Sequence, residues 1–182
     1  MSRWMLLATL VIWGCSNSVA PIVIEENVAE NKVVQFIEKL RGKVTRDEEL
    51  PDKPVIAVAL FGTKVTDAGL QQLAELKSLH TLNLGNTRVA DAGLKELAGL
   101  TKLTTLGLHN TRVTDAGLQQ LAGLTNLTLL TLDGTQITDA GLQQLAGLTK
   151  LTRLFVRGTQ ITDAGVAYIG KVLPNCIIVI TK

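Results

Sequence analysis

The chain has 182 residues, which suits a single domain of the usual size of about 100–200 residues. Hydrophobic residues make up 46% of the chain but aromatic residues only 3%, so its core must be aliphatic. That bias favours thin stacked layers over one rounded core, which normally draws much of its buried area from aromatic rings. The net charge is +2 and the basic residues form no run, so no nucleic acid or anionic membrane surface is indicated as a partner.

The first twenty residues have the pattern of a targeting segment. Arg3 gives a positive start, residues 4–14 form an apolar run, and Cys15 ends that run. The run is shorter than the roughly 20 residues needed to span a bilayer. It resembles a bacterial lipoprotein signal, which implies cleavage before Cys15 and lipidation of that cysteine, with palmitate as a typical acyl chain. An ordinary signal peptide cut after Ala20 and an uncleaved anchor are the alternatives.

The lipoprotein resemblance implies a location in the cell envelope. We expect residues 1–15 to be the signal region and residues 16–24 to be a tether. More than one acyl chain would hold the protein stably on a membrane without spanning it. The site would be the outer membrane or the periplasmic face of a membrane, and Ser16 in place of an aspartate favours the outer membrane by the same resemblance. A plain signal peptide would instead give a secreted protein.

A repeat of 24 residues dominates the remainder of the chain. Its marker is the tripeptide DAG, which begins at Asp67, Asp91, Asp115, Asp139 and Asp163. The segments 118–125 and 142–149 are identical. Over residues 55–182 the unit LxxLxLxxTxVTDAGLxxLAGLTx resembles the leucine-rich-repeat family, and closely the TDAGL-type repeats of bacteria, planctomycetes especially. The resemblance implies an α/β solenoid with a parallel β ladder on the concave face, short helices on the convex face and a helical N-terminal cap.

The positions within the repeat have separate physical roles. Leu82 and Leu84 are two residues apart, so an extended strand points both into the core. The aspartate of DAG is predicted to be a helix N-cap that accepts hydrogen bonds from first-turn amides. The glycine of DAG is unfavourable in a helix, so we expect it to permit close packing between neighbouring units. A column of threonines is expected to satisfy turn backbone groups: Thr63, Thr87, Thr111, Thr135 and Thr159.

Both ends of the solenoid need caps to cover their apolar faces. Residues 25–54 are predicted to be the N-terminal cap, with a helix over 25–41 that stops at Gly42 and a short strand over 43–46. At the C-terminal end the repeat pattern breaks. The connection to the last predicted strand is interpreted as one residue longer than the connections of the earlier repeats. Residues 177–180 are then the closing strand.

Outward-facing positions of the ladder form three rows. The first two rows are Ala57, Thr81, Thr105, Leu129 and Arg153, and Ala59, Asn83, Gly107, Thr131 and Phe155. The third row is Phe61, Gly85, His109, Asp133 and Arg157. The candidate protein-binding residues are Leu129, Asp133, Arg153, Phe155 and Arg157, because arginine and aromatic residues are favoured in binding hot spots. The alternative is an ordinary solvated face in which Asp133 pairs with His109 and Arg157.

The size of this face limits its affinity. Five strands expose roughly 400 Å², whereas a specific interface buries about 800 Å² per partner. The concave face alone should therefore bind weakly, and a stable complex would also need loops, an edge or several copies of the protein.

No catalytic or metal-binding motif is found in the sequence. His80 and His109 fall in different columns and so do not converge as a metal pair, and no nucleophile stands next to His109 and Asp133. With Cys15 lipidated, Cys176 has no partner for a disulfide and is predicted to be a small buried hydrophobe. We therefore expect no enzyme activity, cofactor, metal or small-molecule substrate. The sequence favours a lipid-anchored protein-binding module; a structural envelope repeat protein without a single specific ligand is the alternative.

Overall fold

The computed structural model describes residues 28–180, in which seven strands form one sheet in chain order. The strands are β1 (Lys43–Arg46), β2 (Val55–Ala59), β3 (Thr81–Asn83), β4 (Thr105–Gly107), β5 (Leu129–Thr131), β6 (Arg153–Phe155) and β7 (Ile177–Val179). The helices are α1 (Val28–Lys39), α2 (Asp67–Leu73), α3 (Asp91–Leu94), α4 (Asp115–Leu118), α5 (Asp139–Gln144) and α6 (Asp163–Val172). Short 3₁₀ turns continue α3 and α4 over Lys95–Leu97 and Gln119–Leu121. The predicted signal region 1–15 with Cys15, and the tether 16–24, lie outside the described residues.

The parallel ladder keeps a constant step of one repeat from β2 to β7. Leu82 pairs with Leu106, and the same register continues through the later strands. Arg153 pairs with Ile177, which is again 24 residues further on, so the expected extra residue in the last connection is wrong. β1 is antiparallel to β2 and extends the sheet at its N-terminal edge. The parallel ladder and the short helices confirm the predicted α/β solenoid.

The core consists of aliphatic columns that run through all the repeats. Leu82 and Leu84 of the strand segment are fully buried, as are Leu94 and Leu97 of the helical segment. No aromatic residue belongs to the fully buried set of residues 28–180, and Phe36 only packs partly buried against it. Each repeat therefore contributes one thin layer of leucine and valine, as the composition predicts.

A polar turn follows each strand and stacks on the turn of the next repeat. The predicted threonine column is confirmed: each hydroxyl donates to the carbonyl three residues earlier, at 2.5–2.8 Å. The residue before each threonine has a positive φ, which favours glycine or asparagine. These residues are Gly62, Asn86, Asn110, Gly134 and Gly158. The turn geometry thus explains why only these two residue types occupy that position.

The aspartate of DAG is not the helix N-cap, which corrects the prediction. Each helix begins at the aspartate, and the residue before it is the cap; Thr114 and Thr138 accept first-turn N–H bonds. The carboxylate reaches the next repeat instead. Asp115 accepts from the backbone N–H of Thr138 at 2.8 Å and from its hydroxyl at 2.6 Å. Asp91 and Asp139 bond in the same way to the cap threonine of their own next repeat.

At Asp139 these bonds stabilise the charged form of the carboxyl group. The Thr162 hydroxyl, followed by the Thr162 backbone N–H, lowers the pKa of Asp139 below its ordinary value. Asp67 bonds only to the backbone N–H of Ala90, at 2.7 Å, because alanine has no hydroxyl. The column therefore joins consecutive repeats through ionised hydrogen-bond acceptors.

The glycine of DAG leaves room for this carboxylate. A Cβ at Gly93 would lie 2.6 Å from Asp67 Oδ1, and at Gly117 and Gly141 it would overlap the carboxylate of the preceding repeat. The expected close packing between neighbouring units is thereby confirmed, and its contact is with the aspartate.

The N-terminal cap docks through both apolar and charged contacts. Val33 and Ile37 of α1 are buried against the core. Glu30 is also buried, and it accepts from Arg46 Nη1 at 2.8 Å and from the backbone N–H of Val55 at 2.7 Å. No helix within residues 28–180 is long and apolar enough to cross a membrane.

The end of α1 differs in detail from the prediction. The positive φ falls on Arg41 rather than on Gly42. Gly42 is needed for space instead, because its Cβ would lie 2.7 Å from Ile37 and 2.8 Å from Leu60.

Candidate protein-binding surface

The outward rows predicted from the repeat are in register. The pairing of β2 to β6 aligns the first two rows residue by residue. The third row lies in the turns just after the strands, where backbone bonds of 2.7–2.9 Å keep the same step between repeats. One repeat separates neighbours by about 4.8 Å. Side chains along each row can therefore act together on one ligand.

The five candidate residues, which we call the arginine patch, meet at the C-terminal half of this face: Leu129, Asp133, Arg153, Phe155 and Arg157. Arg153 and Arg157 are exposed, whereas Leu129, Asp133 and Phe155 are half-buried. Leu129 of β5 pairs with Arg153 of β6. Phe155 follows Arg153 by two residues and precedes Arg157 by two, so all three are on the same face of the chain. The structure thus brings all five together.

The polar contacts of the arginine patch differ from the predicted charge pairing. Asp133 Oδ1 accepts the backbone N–H of Arg157 at 2.6 Å, and the guanidinium takes no part. His109 contacts Thr131 at 3.4 Å rather than Asp133. Within residues 28–180, no ion pair or side-chain hydrogen bond engages the guanidinium of Arg153 or of Arg157. Both exposed guanidinium groups are therefore free of contacts with other charged side chains in residues 28–180.

An apolar flank of the arginine patch was missed from the sequence. Ile177 lies beside Arg153 with 65% of its surface exposed, and Val179 lies beside Phe155. A constant step of 24 residues predicts that Ile177 lies beside Arg153 and Val179 beside Phe155. The extra residue assumed in the last connection shifted this register by one and concealed both neighbours. The flank enlarges the apolar part of the surface around Phe155.

A second aromatic cluster lies at the N-terminal half of the same face. The ring of His109 stacks on Phe61, with centroids 5.5 Å apart and planes at 30°. Gly85 lies between them in the third row, and a side chain there would overlap the His109 ring. Phe61 remains 52% exposed. The repeat pattern predicts that both residues share one row, but it does not reveal that the glycine between them lets their rings touch.

The described residues offer no grouping for a metal ion. No three His, Cys, Asp or Glu side chains in residues 28–180 converge on a possible metal position. Cys176 is partly buried and packs against the core.

Comparisons with known proteins agree with the fold. Residues 101–161 match one leucine-rich-repeat family model and residues 75–98 match another. No curated protein matches the sequence.

Among solved structures, an internalin from Listeria monocytogenes has a TM-score of 0.52 at 21% identity over 86% of this chain and 51% of its own. The leucine-rich-repeat ectodomain of a receptor kinase from Arabidopsis thaliana has a TM-score of 0.54 at 15% identity, over 84% of this chain and 91% of its own. A leucine-rich-repeat protein from Leptospira interrogans has a TM-score of 0.50 at 21% identity, over 68% of this chain and 36% of its own. The chain thus spans about half the length of the internalin, and at these identities the likeness concerns the fold. The chain therefore has the leucine-rich-repeat solenoid fold, and its residues 75–98 and 101–161 are similar to leucine-rich-repeat families.

Proposed function

We propose that this chain is a non-catalytic protein-binding module of the bacterial cell envelope, anchored by lipid at Cys15. Leucine-rich-repeat proteins typically serve as protein-interaction modules and are generally not catalysts. The observation that carries the proposal is the arginine patch, in which two exposed guanidinium groups flank Phe155 and neither is engaged by another side chain of residues 28–180. A protein partner would supply the missing acceptors.

The arginine patch has the physical properties of an interface centre. Phe155 is half-buried between Thr131 and Val179 of the neighbouring strands, so little side-chain freedom remains to be lost on binding. The planar guanidinium groups of Arg153 and Arg157 can bind carboxylates through two parallel hydrogen bonds. Ile177 adds exposed apolar surface beside them. Aromatic and arginine anchors of this kind contribute most of the binding energy in many interfaces.

The lipid anchor is supported by the sequence at the start of the chain. The apolar run 4–14 and Cys15 resemble a lipoprotein signal. The proposed tether, residues 16–24, would separate Cys15 from the N-terminal cap. Such a tether would leave the repeat region free to meet a partner while it stays near the membrane.

An in-cell crosslinking pulldown tests the binding role. The native protein is compared with the triple variant Arg153→Ala, Phe155→Ala, Arg157→Ala. A matched control carries Lys102→Ala, Tyr168→Ala and Lys171→Ala, which also removes two cations and one exposed aromatic ring, but away from the arginine patch. We expect a protein that is captured by the native chain and by the control but lost with the triple variant.

The opposite outcome favours the alternative function. If all three proteins capture the same set, the arginine patch is ordinary surface. The chain would then be better described as a structural envelope repeat protein without a single specific ligand.

A further inference from the structure

The fold gathers cations that the sequence spreads along the chain. Lys64, Arg88 and Arg112 occupy the same position of three consecutive repeats, where the last two repeats carry glutamine. All three are exposed. The backbone N–H of Arg112 donates to Val89 at 2.9 Å, so this column keeps the spacing of stacked repeats, about 4.8 Å. The result is a line of positive charge on the N-terminal half alone.

A groove of about 550 Å³ lies at the N-terminal end of this column, between the end of α1 and the turn after β2. Lys39 and Arg41 line one side, Lys64 lines the other, and Phe61 forms an apolar wall. Arg41 lies close to Phe61 because Lys43 pairs with Ala59 in the antiparallel β1–β2 ladder. We call the groove and its column the basic groove: Lys39, Arg41, Phe61, Lys64, Arg88 and Arg112.

The nearby carboxylates of residues 28–180 form no ion pair with these cations. Asp67, Asp91 and Asp115 follow Lys64, Arg88 and Arg112 by three residues, but each accepts hydrogen bonds from the next repeat. Glu38 is exposed at the end of α1. Within residues 28–180, no ion pair links an acidic residue to any of the five cations of the basic groove. All five cationic side chains are exposed and can therefore reach a ligand, although one aspartate follows each member of the column by three residues.

We infer that the basic groove binds an acidic, extended segment of a protein partner, with an apolar or aromatic side chain of that segment against Phe61. The inference rests on the proposed function, because it names the chemistry of a protein ligand. Side chains on one face of an extended chain recur about every 6.8 Å. Lysine and arginine side chains on flexible stems, spaced about 4.8 Å apart, can reach successive carboxylates at that interval.

The shape of the basic groove distinguishes such a segment from a membrane surface. The cations lie along a line and around a hollow, which a single polypeptide can follow and enter. A bilayer presents a plane of headgroups, which would engage a flat array of cations more fully. Phe61 stacks on His109 and lines the hollow, so its ring offers an apolar surface there.

A fluorescent heptapeptide, Glu-Glu-Glu-Trp-Glu-Glu-Glu, provides the test probe. Its binding to the full chain in neutral detergent is followed by anisotropy at low and at physiological salt. Lys39→Gln, Arg41→Gln, Lys64→Gln should weaken binding at least about tenfold, because three attractions are lost together. The control Lys77→Gln, Lys102→Gln, Lys171→Gln changes net charge equally at exposed sites elsewhere, and should stay within about twofold of native. Equal losses with both charge variants would overturn the inference.

Two further arms define the ligand. Phe61→Ala should weaken binding of the tryptophan peptide but leave binding of a peptide with alanine in place of tryptophan unchanged. If Phe61→Ala weakens binding of neither peptide, Phe61 is not part of the site. Vesicles of phosphatidylglycerol are compared with vesicles of phosphatidylcholine. If the charge variant loses only its preference for anionic vesicles and still binds the peptide, the surface is a lipid site and the inference is wrong.

This test is independent of the proposed binding site at the arginine patch. The variant Arg153→Ala, Phe155→Ala, Arg157→Ala should bind the acidic peptide as the native chain does. A pulldown that fails to support the arginine patch would thus not contradict peptide binding at the basic groove. A peptide experiment that fails would likewise not contradict partner binding at the arginine patch.

Discussion

The aspartate of each DAG tripeptide holds two repeats together at the scale of single atoms. One carboxylate oxygen of Asp115 accepts the Thr138 backbone N–H and the other accepts its hydroxyl. An ionised acceptor makes both bonds stronger than neutral ones. Thr138 in turn caps its own helix through Ala140. The carboxylate therefore fixes the residue on which the next helix begins.

Replacing Asp115 with alanine should lower the free energy of unfolding by roughly 1–3 kcal/mol, because two charge-assisted hydrogen bonds between repeats are lost. Denaturant unfolding measures the change. Thr138→Val serves as the partner variant, since it keeps the backbone N–H bond to Asp115 and loses the hydroxyl. The two losses should not add in the double variant, with a coupling of at least about 0.5 kcal/mol. Simple additivity would mean that Asp115 acts within its own helix.

The sequence could predict an aspartate at the start of a helix, but not which repeat it binds. Amides of its own first turn and of the next repeat are both suitable donors for Asp115. The choice depends on stacking with a residue 23 positions later, which local propensity does not contain. Gly141 indicates the choice, because its missing side chain leaves space for the Asp115 carboxylate of the preceding repeat.

At the scale of elements, the N-terminal cap depends on a buried charge. Glu30 lies beside Val33 and Ile37 on α1, and its buried side chain receives Arg46 and the first N–H of β2. Arg46 also donates to Asn31 Oδ1 and to the Lys53 carbonyl. One arginine therefore ties helix, strand and loop of the cap. These partners come from three segments, so periodicity of the helix alone could not reveal the site.

Arg46→Ala should destabilise the protein by roughly 2–4 kcal/mol, because buried Glu30 loses its charged partner. Amide hydrogen exchange of α1 should speed up more than that of α5, since the cap is the part released. Lys53→Ala is the control, because it breaks only the exposed pair with Glu48, which contributes about 0–1 kcal/mol. If both variants lose the same small amount, the cap is held by its apolar face alone.

The sequence predicted the strand rows well because the repeat period is constant. Any residue 24 positions after Leu129 must lie beside it, which places Arg153 correctly. The same rule extends to Ile177, but the altered sequence of α6 concealed it. The stack of Phe61 on His109 forms because the His109 ring occupies the space that a side chain at Gly85 would fill. The one-dimensional repeat pattern does not contain this side-chain conformation.

At the scale of the whole molecule, the two proposed contact surfaces occupy opposite ends of one ladder. Phe61 follows β2 and Phe155 ends β6, so four repeat steps of about 4.8 Å separate their strands. The resulting distance of roughly 20 Å allows one partner to touch both surfaces or two ligands to bind together. Either arrangement would enlarge the contact area beyond the roughly 400 Å² of the strand face. A stable complex generally needs about 800 Å² from each side.

Anchoring by lipid would raise the effective concentration of a partner on the same membrane, which would offset a small contact area. The two cysteines of the chain give this idea a matched test. In cells fed an alkyne analogue of palmitate, the native protein and Cys176→Ser should take up label, because Cys15 is the proposed acceptor. Cys15→Ser should take up no label, and cells that express this variant should lack the form of the protein that is cleaved before residue 15. Label that persists in Cys15→Ser, or that disappears in Cys176→Ser, would show that Cys15 is not the lipidated residue.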